Sequence, residues 1–199
     1  MNVAGAAVTD ALQEQLRSRW QLPVELAATA AETGGLRNGY RDPQQLGADR
    51  WLAMLAARRA VTGAVCVVDA GTALTVDLIE ADGRHLGGFI LPGSELMRAS
   101  LERSTGDIRQ RAAIAAAAAD LHGPGRDTVS AIEAATLQAS LGLIDRARNM
   151  TSTPASVVLS GGAAPALLAG LPADTRHRPR LVLEGLLLAL GGQAEFAGA

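Results

Sequence analysis

Residues 65–77 read VCVVDAGTALTVD, and this stretch decides the fold that we expect of the chain. Its first four residues form an apolar, valine-rich run, which is typical of a buried strand. The run ends in the turn Asp69-Ala70-Gly71-Thr72, and residues 73–79 then alternate well enough to predict a second strand. Asp82-Gly83 signals a hairpin turn, after which residues 85–91 predict a third strand. Together they predict a three-stranded antiparallel meander.

Outward from the meander, apolar residues at helical spacing predict helices on both sides. The predicted helices cover residues 9–20, 49–61, 95–103, 112–119, 130–148, 164–171 and 181–190. The last of them is apolar nearly all round, which predicts a buried helix. Two further strands are expected at residues 23–28 and 156–159, and the second of these leads into Ser160-Gly161-Gly162.

The composition predicts a soluble protein with no nucleic-acid or membrane partner. The 199 residues are 48% hydrophobic but only 3% aromatic, so Ala, Leu, Val and Ile must build the core. The net charge of −2, from 18 basic and 20 acidic residues, indicates no basic surface for nucleic acid or an anionic membrane. No apolar run reaches the roughly 20 residues that cross a bilayer, and the start lacks a signal-peptide pattern. We therefore expect a cytoplasmic location.

Several kinds of chemistry are excluded by residue type. All 18 basic residues are arginines, so a Walker-type lysine and a Schiff-base mechanism are both impossible. The single cysteine, Cys66, excludes an internal disulfide and a cysteine-rich metal site. His85, His122 and His177 lie far apart in unrelated contexts, and we expect none of them to be catalytic.

The turn Asp69–Thr72 has the residue types that hold a metal ion and a phosphate. Gly71 allows the backbone to approach a ligand closely, and exposed N–H groups in such a turn can bind an anion. Thr72 adds a hydroxyl donor, while Asp69 can bind a cation directly or through water. The alternative interpretation is an ordinary Asp-Gly turn.

Two other segments are candidates for ligand binding. Ser160-Gly161-Gly162 stands between a strand and a helix, where backbone N–H groups suit a phosphate or a nucleoside; the alternative is a plain turn. Gly47-Ala48-Asp49-Arg50 opens a helix and offers a base beside an anion anchor. Its alternative is a helix-capping Asp49 with a surface Arg50.

Six blocks of sequence, in chain order, match the pattern of one known family. The blocks are Asn38-Gly39-Tyr40, PQQLGADRW (43–51), DAGTALTVD (69–77), GGFILPGSELMRASL (87–101), GRDT (125–128) and LVLEGL (181–186). With these blocks the sequence resembles the type III pantothenate kinases. This family belongs with acetate and sugar kinases, Hsp70 and actin, and regulatory proteins once classed as Bvg accessory factors share its pattern. A different small-molecule kinase is a weaker interpretation because the GADRW block is particular to the pantothenate enzymes.

The resemblance implies an α/β protein of two ribonuclease-H-like domains with ATP between them. Residues 1–62 would form part of the N-terminal domain, and residues 63–199 would form the C-terminal domain. The C-terminal helix could return to pack on the first domain. Family members begin with an Asp-x-Gly-Asn-Thr phosphate loop that this sequence lacks, so the first domain is expected to be incomplete at its start.

The resemblance also assigns roles to individual residues. Asp49 is implied as the catalytic base, and Asp69 as the ligand of a monovalent cation. The residues implied to contact pantothenate are Tyr40, Gly47, Ala48, Asp49, Arg50 and Thr128, with Arg50 a partner for its carboxylate. Those implied to contact ATP are Gly71, Thr72, Gly161 and Gly162.

The implied activity is ATP-dependent phosphorylation of pantothenate, the first step of coenzyme A synthesis. ATP, Mg2+ and a monovalent cation (K+ or NH4+) are the expected cofactors, and a homodimer is the expected assembly. Because the phosphate loop is absent from the sequence, the alternative is a catalytically impaired homologue that binds a ligand or a partner protein. For the same reason, the 199-residue chain by itself is expected to bind ATP poorly and to phosphorylate little or no pantothenate.

Overall fold

The computed structural model describes residues 6–21, 24–104 and 123–191 of the chain. The longer helices and strands follow their predicted positions to within a few residues. The helices are α1 (Ala6–Trp20), α2 (Ala48–Ala60), α3 (Ser94–Ser104), α4 (Thr128–Arg148), α5 (Ala164–Leu168) and α6 (Leu181–Ala189), with a 3-10 turn at Pro43–Gln45. The strands are β1 (Glu32–Thr33), β2 (Leu36–Arg37), β3 (Val65–Ala70), β4 (Ala73–Ile79), β5 (His85–Pro92), β6 (Ser156–Ser160) and β7 (Arg176–His177).

Five strands form one mixed sheet in the order β5-β4-β3-β6-β7. Strands β3, β4 and β5 pair antiparallel, which confirms the predicted meander. Strand β6 pairs parallel with β3, and β7 pairs parallel with β6. Helices cover the sheet, so the α/β class is confirmed, while the division into two ribonuclease-H-like domains stays a prediction.

Each face of the sheet has its own apolar core, because successive side chains on a strand point to opposite faces. Helix α4 covers one face and packs on Cys66, Val68 and Val76. Helix α2 covers the other face and packs on Val65, Val67 and Ile79. By the same alternation, Asp69 and Asp77 belong to the face that α2 covers.

Helix α6 packs closely against α2, but it is not buried all round as predicted. A Cβ atom at Gly185 would collide with the backbone carbonyl of Leu52, so the two helices meet backbone to backbone. Leu181 is fully buried, whereas Leu183 is 60% and Leu187 is 52% exposed. The prediction was wrong because an apolar composition does not show that only one side of this helix meets the core.

Other predicted elements had different outcomes. Residues 24–28 are irregular, so the strand predicted at 23–28 is wrong there, and Pro23 lies outside the described residues. The alanine-rich helix predicted at 112–119 also lies outside them. Within the described ranges, no helix combines the length and hydropathy needed to cross a bilayer.

Two glycine-to-alanine changes should alter stability in opposite directions. Gly185→Ala forces α6 away from α2, and such overpacking typically lowers the free energy of unfolding by about 1–3 kcal/mol. Gly142→Ala on α4 meets open space and replaces a poor helix former, so it should raise that free energy by about 0.5–1 kcal/mol. Thermal and urea unfolding measure both effects. Equal stability of the two variants would contradict the close α2–α6 packing.

Candidate active site at the ends of two parallel strands

The candidate site begins where β3 and β6 end side by side. Asp69 pairs with Ser160 at the carboxyl ends of these parallel strands, the usual position of a ligand site in α/β sheets. Gly161 follows with φ of 96°, a conformation that favours glycine. A Cβ atom there would also collide with the Ala70 carbonyl and the Asp69 carboxylate. This glycine therefore keeps the turn after β6 pressed against Asp69.

The Asp69 carboxylate lies in an environment that disfavours its negative charge. Burial raises its pKa above the ordinary value, and the nearby charge of Asp49 raises that pKa further. Among the described residues, none donates a hydrogen bond to this carboxylate. A cation bound at Asp69 would relieve both unfavourable effects, so the residue fits a cation ligand.

Asp49 stands in the first turn of α2, next to the helix N-terminus. Its Oδ1 atom accepts a hydrogen bond of 2.8 Å from the backbone N–H of Arg50. Gly47 precedes the helix without a side chain, and a Cβ atom there would crowd the Asp49 carboxylate. The partial positive charge of a helix N-terminus stabilises a carboxylate at this position. Residues 47–50 thus hold Asp49 at the start of α2 with its second oxygen available, and its charge acts on Asp69.

Arg50 forms a buried ion pair with Asp77 of β4. Its Nε donates to Asp77 Oδ2 at 2.8 Å and its Nη2 donates to Asp77 Oδ1 at 2.6 Å, so the pair is bidentate. The side chains are only 8% and 2% exposed. Burial lowers the pKa of the Arg50 guanidinium, but the hydrogen bonds and charges of Asp77 and Tyr40 outweigh this effect and raise it overall.

Tyr40 and His85 complete this buried polar group. The third guanidinium nitrogen, Nη1 of Arg50, donates to the Tyr40 hydroxyl at 2.8 Å. The His85 Nε2 atom lies 2.9 Å from Asp77 Oδ1, and the His85 ring stacks on the Tyr40 ring. We call these four residues, Tyr40, Arg50, Asp77 and His85, the Arg50 network.

A cavity of about 260 Å³ opens on the other face of the sheet, beside the same turn. Ala70 and Gly71 line one side of it, and Ala163 and Leu167 line another. Thr136 and Ser140 of α4 add hydroxyl groups to a mostly apolar wall, and Glu95, Arg98 and Glu133 add charged groups to it. A mostly apolar cavity with a few polar groups is typical of a small-molecule site.

The predicted site residues fall into two groups, one at the start of α2 and in the Arg50 network and the other in the turns that end β3 and β6, and Thr128 belongs to neither. Gly71 lines the cavity, the Thr72 carbonyl accepts a hydrogen bond from Gly93, and Gly162 stands between Gly161 and the start of α5. Thr128 is the first residue of α4, on the opposite face of the sheet from the Arg50 network. Asp127 caps that helix through Val129 and Ser130.

Asp77 and His85 were not singled out as site residues from the sequence. Asp77 lies at the end of the quoted stretch DAGTALTVD, so a buried acid in an apolar strand was the available signal. His85 was assigned no role, and its partner became visible only with the strand register. Cys66 has no such role, because burial raises the pKa of its thiol to about 12 and keeps it protonated.

The described residues hold no cluster of three or more His, Cys, Asp or Glu side chains that could bind a metal ion. A cation at Asp69 would therefore need water or phosphate oxygens to complete its shell. Oxygen ligands of this kind suit hard cations.

Comparisons with known proteins agree on one family. The family described as type III pantothenate kinase matches residues 1–149. A type III pantothenate kinase of Pseudomonas putida is 40% identical over 193 residues, which cover 95% of this chain and 77% of the relative. One of Azoarcus is 40% identical over 202 residues, covering 97% of this chain and 72% of the relative.

A solved structure shares the fold. It is a Baf family transcriptional activator from Campylobacter jejuni, with a TM-score of 0.57 and 23% sequence identity. The match covers 92% of this chain and 78% of that one. At this identity the likeness concerns the fold alone.

We expect Asp69→Asn to stabilise the folded protein at neutral pH in the absence of added potassium. Burial and Asp49 penalise ionised Asp69 in the folded state but not in the unfolded state. The penalty is absent below the ordinary pKa of about 4, grows as the pH rises through the raised pKa, and is complete above it. Thermal unfolding should show a higher Tm for the variant than for wild type at pH 7.5, and this difference should shrink toward pH 4. Each kcal/mol of unfolding free energy should shift Tm by about 2–4 °C.

Asp82→Asn is the control for this prediction, and we expect it to change Tm in the opposite direction. Hydrogen bonding from the Arg84 backbone lowers the pKa of exposed Asp82, so its ionised form is favoured in the folded state. Its substitution should lower Tm slightly at pH 7.5, with the difference lost as the pH falls below about 4. A Tm loss for Asp69→Asn at pH 7.5 would contradict the electrostatic account of Asp69.

Proposed function

The chain belongs to the type III pantothenate kinase family, and we propose that its reaction takes place between Asp49 and the Asp69 turn. The enzyme uses ATP to phosphorylate pantothenate. The observation that carries the assignment of the site is that Asp69, at the end of β3, belongs to the sheet face that α2 covers, and the first turn of α2 carries Asp49. The charge of Asp49 also raises the pKa of Asp69. One carboxylate then serves as a base and the other holds a cation, within reach of the same phosphate.

In this proposal Asp49 accepts a proton from the primary hydroxyl of pantothenate. That oxygen forms a bond to the γ-phosphorus of ATP as the bond to the bridging β,γ oxygen breaks, giving phosphopantothenate and ADP. The free Asp49 oxygen at the helix N-terminus is suited to this transfer because the other oxygen is held by the Arg50 N–H. Positioning and charge stabilisation supply most of the catalysis in phosphoryl transfer.

The nucleotide is proposed to lie along the turns that end β3 and β6. Gly71, Thr72, Gly161 and Gly162 offer backbone and hydroxyl donors to the phosphates. The adjoining 260 Å³ cavity has a size and a mostly apolar wall suited to the nucleoside. Asp69 would hold a monovalent cation, K+ or NH4+, while Mg2+ accompanies ATP and offsets phosphate charge.

The acceptor side is proposed to include Tyr40, Gly47, Ala48, Asp49 and Arg50. Tyr40 packs against the core on the α2 face of the sheet, and residues 47–50 form the start of α2. Thr128 stays a further proposed contact. A homodimer, a cytoplasmic location and two ribonuclease-H-like domains divided near residues 62 and 63 complete the proposal.

Asp49→Asn should lower kcat for pantothenate phosphorylation by about 10²–10⁴-fold, the usual contribution of a general base. The amide keeps the size of the side chain but cannot accept the hydroxyl proton. A coupled assay of ADP release measures kcat, and thermal unfolding checks that the variant folds. Asp145→Asn, which changes an exposed acid on α4, is the matched control. A kcat for Asp49→Asn within twofold of wild type would remove Asp49 from this role.

Potassium should both activate the enzyme and stabilise it through Asp69. In Tris buffer with magnesium but no potassium, we expect little activity, which potassium or ammonium chloride restores. Potassium should also raise the Tm of wild type but not of Asp69→Asn, because a ligand that binds only the folded state stabilises it. Tetramethylammonium chloride at equal ionic strength is the control. Full activity without potassium, or an equal Tm gain in both proteins, would argue against a cation at Asp69.

A further inference from the structure

The Arg50 guanidinium is poorly accessible to a ligand, because the side chain is only 8% exposed and the network uses three of its five N–H groups. Asp77 accepts from Nε and from one hydrogen of Nη2, and the Tyr40 hydroxyl accepts one hydrogen of Nη1. Asp77 also balances the positive charge at bidentate distance. A substrate anion would therefore meet a paired arginine, whose attraction is much weaker than that of a free one.

The same contacts fix the direction of the Tyr40 hydroxyl. Its oxygen accepts from Arg50 Nη1, and a guanidinium can only donate. The phenolic hydrogen must therefore point elsewhere, and no described residue accepts it. The Tyr40 side chain is half-buried, so its hydrogen is accessible to a ligand. Accepting a hydrogen bond from a cationic group also polarises the hydroxyl and strengthens it as a donor.

His85 holds the Tyr40 ring at this orientation. The backbone N–H of Gly39 donates to His85 Nδ1 at 3.4 Å, and because an N–H can only donate, Nδ1 must accept. The ring proton is then on Nε2, which donates to Asp77 Oδ1. The His85 and Tyr40 rings stack with centroids 5.9 Å apart and an angle of 12° between planes. His85 thus links Asp77 to the position of the tyrosine ring.

The loop that carries Tyr40 is fitted to the same contacts. Asn38 Oδ1 accepts from the Tyr40 N–H at 2.9 Å, while Asn38 Nδ2 donates to the Ala30 and Pro43 carbonyls. On the other side, a Cβ atom at Gly88 would collide with both Asp77 and Arg50. The network is therefore supported from the loop, from α2 and from two strands.

We propose that Asp77 and His85 are positioning residues that hold Arg50 and Tyr40, so that the Tyr40 O–H is presented as a donor to an acceptor oxygen of the substrate. Neither residue touches the substrate in this arrangement. The inference rests on the proposed function, because it requires that Tyr40 lie in the pantothenate site. The substrate oxygen is then recognised by a hydrogen bond from the polarised Tyr40 hydroxyl and not by the charge of an unpaired arginine.

The test is a set of kinetic measurements on Tyr40→Phe, Asp77→Asn and His85→Gln. Tyr40→Phe removes only the donor and should raise KM for pantothenate by about 10-fold or more, as expected for a hydrogen bond to a charged acceptor. Asp77→Asn releases Arg50, and His85→Gln removes the stacked ring while keeping a donor for Asp77. Each should raise KM for pantothenate by several-fold, with KM for ATP within twofold of wild type.

A double-mutant comparison separates positioning from general damage. If Asp77 acts through Tyr40, Asp77→Asn should change KM for pantothenate less than about twofold in the Tyr40→Phe background. Glu80→Gln is the matched control. Glu80 is a buried acid that directly follows β4, and its carboxylate accepts hydrogen bonds from Ser152 and none from the Arg50 network. It should leave KM for pantothenate unchanged.

The outcomes are distinct. Unchanged KM in folded Asp77→Asn or His85→Gln, or an equal Asp77→Asn effect with and without the tyrosine hydroxyl, would overturn the positioning role while wild type still phosphorylates pantothenate. If Asp77→Asn does not fold, His85→Gln decides. A wild-type enzyme that does not phosphorylate pantothenate overturns the proposed function itself, and this inference with it.

Discussion

The buried ion pair between Arg50 and Asp77 is the interaction on which the proposed acceptor side of the site depends. Two charges removed from water stay favourable only with good geometry and with their remaining hydrogen-bonding groups satisfied, and loss of one partner typically costs about 3–5 kcal/mol. Here the geometry is bidentate, and Tyr40 and His85 bind the remaining groups. The pair joins the first turn of α2 to strand β4 of the sheet. Asp49, one residue before Arg50, is positioned by the same attachment.

The local parts of the fold were predictable, and the long-range parts were not. The meander from residue 65 to 92 was correct because its turns and alternation are encoded in neighbouring residues. The pairing of Arg50 with Asp77 joins residues 27 apart in sequence, and it depends on a strand register that periodicity does not give. The exposed side of α6 was missed for a related reason, since composition does not show how many sides of a helix meet a neighbour.

The candidate site was predicted by motif more than by physics. The turn Asp69–Thr72 and the segment 47–50 have plain alternatives as a turn and a helix cap, and resemblance to a family decided between them. The structure adds a physical reason for Asp69, because burial and the charge of Asp49 raise its pKa and no described donor compensates. Unfavourable electrostatics of this kind are common where a ligand completes the site. The role of Thr128 stays a prediction from the motif, because this residue begins α4 on the other face of the sheet.

The alternation of side chains at the end of β3 explains how one short turn can serve two substrates. Asp69 faces the side of α2, where Asp49 and the Arg50 network lie, while Ala70 faces the core under α4. Gly71 then opens onto the cavity on that second side. An acceptor on one face and a nucleoside on the other would meet at the sheet edge, where β3 and β6 end together. In the proposed site, the nucleotide phosphates would lie along the turn, and the strand end would then hold both substrates in position for transfer of the phosphoryl group.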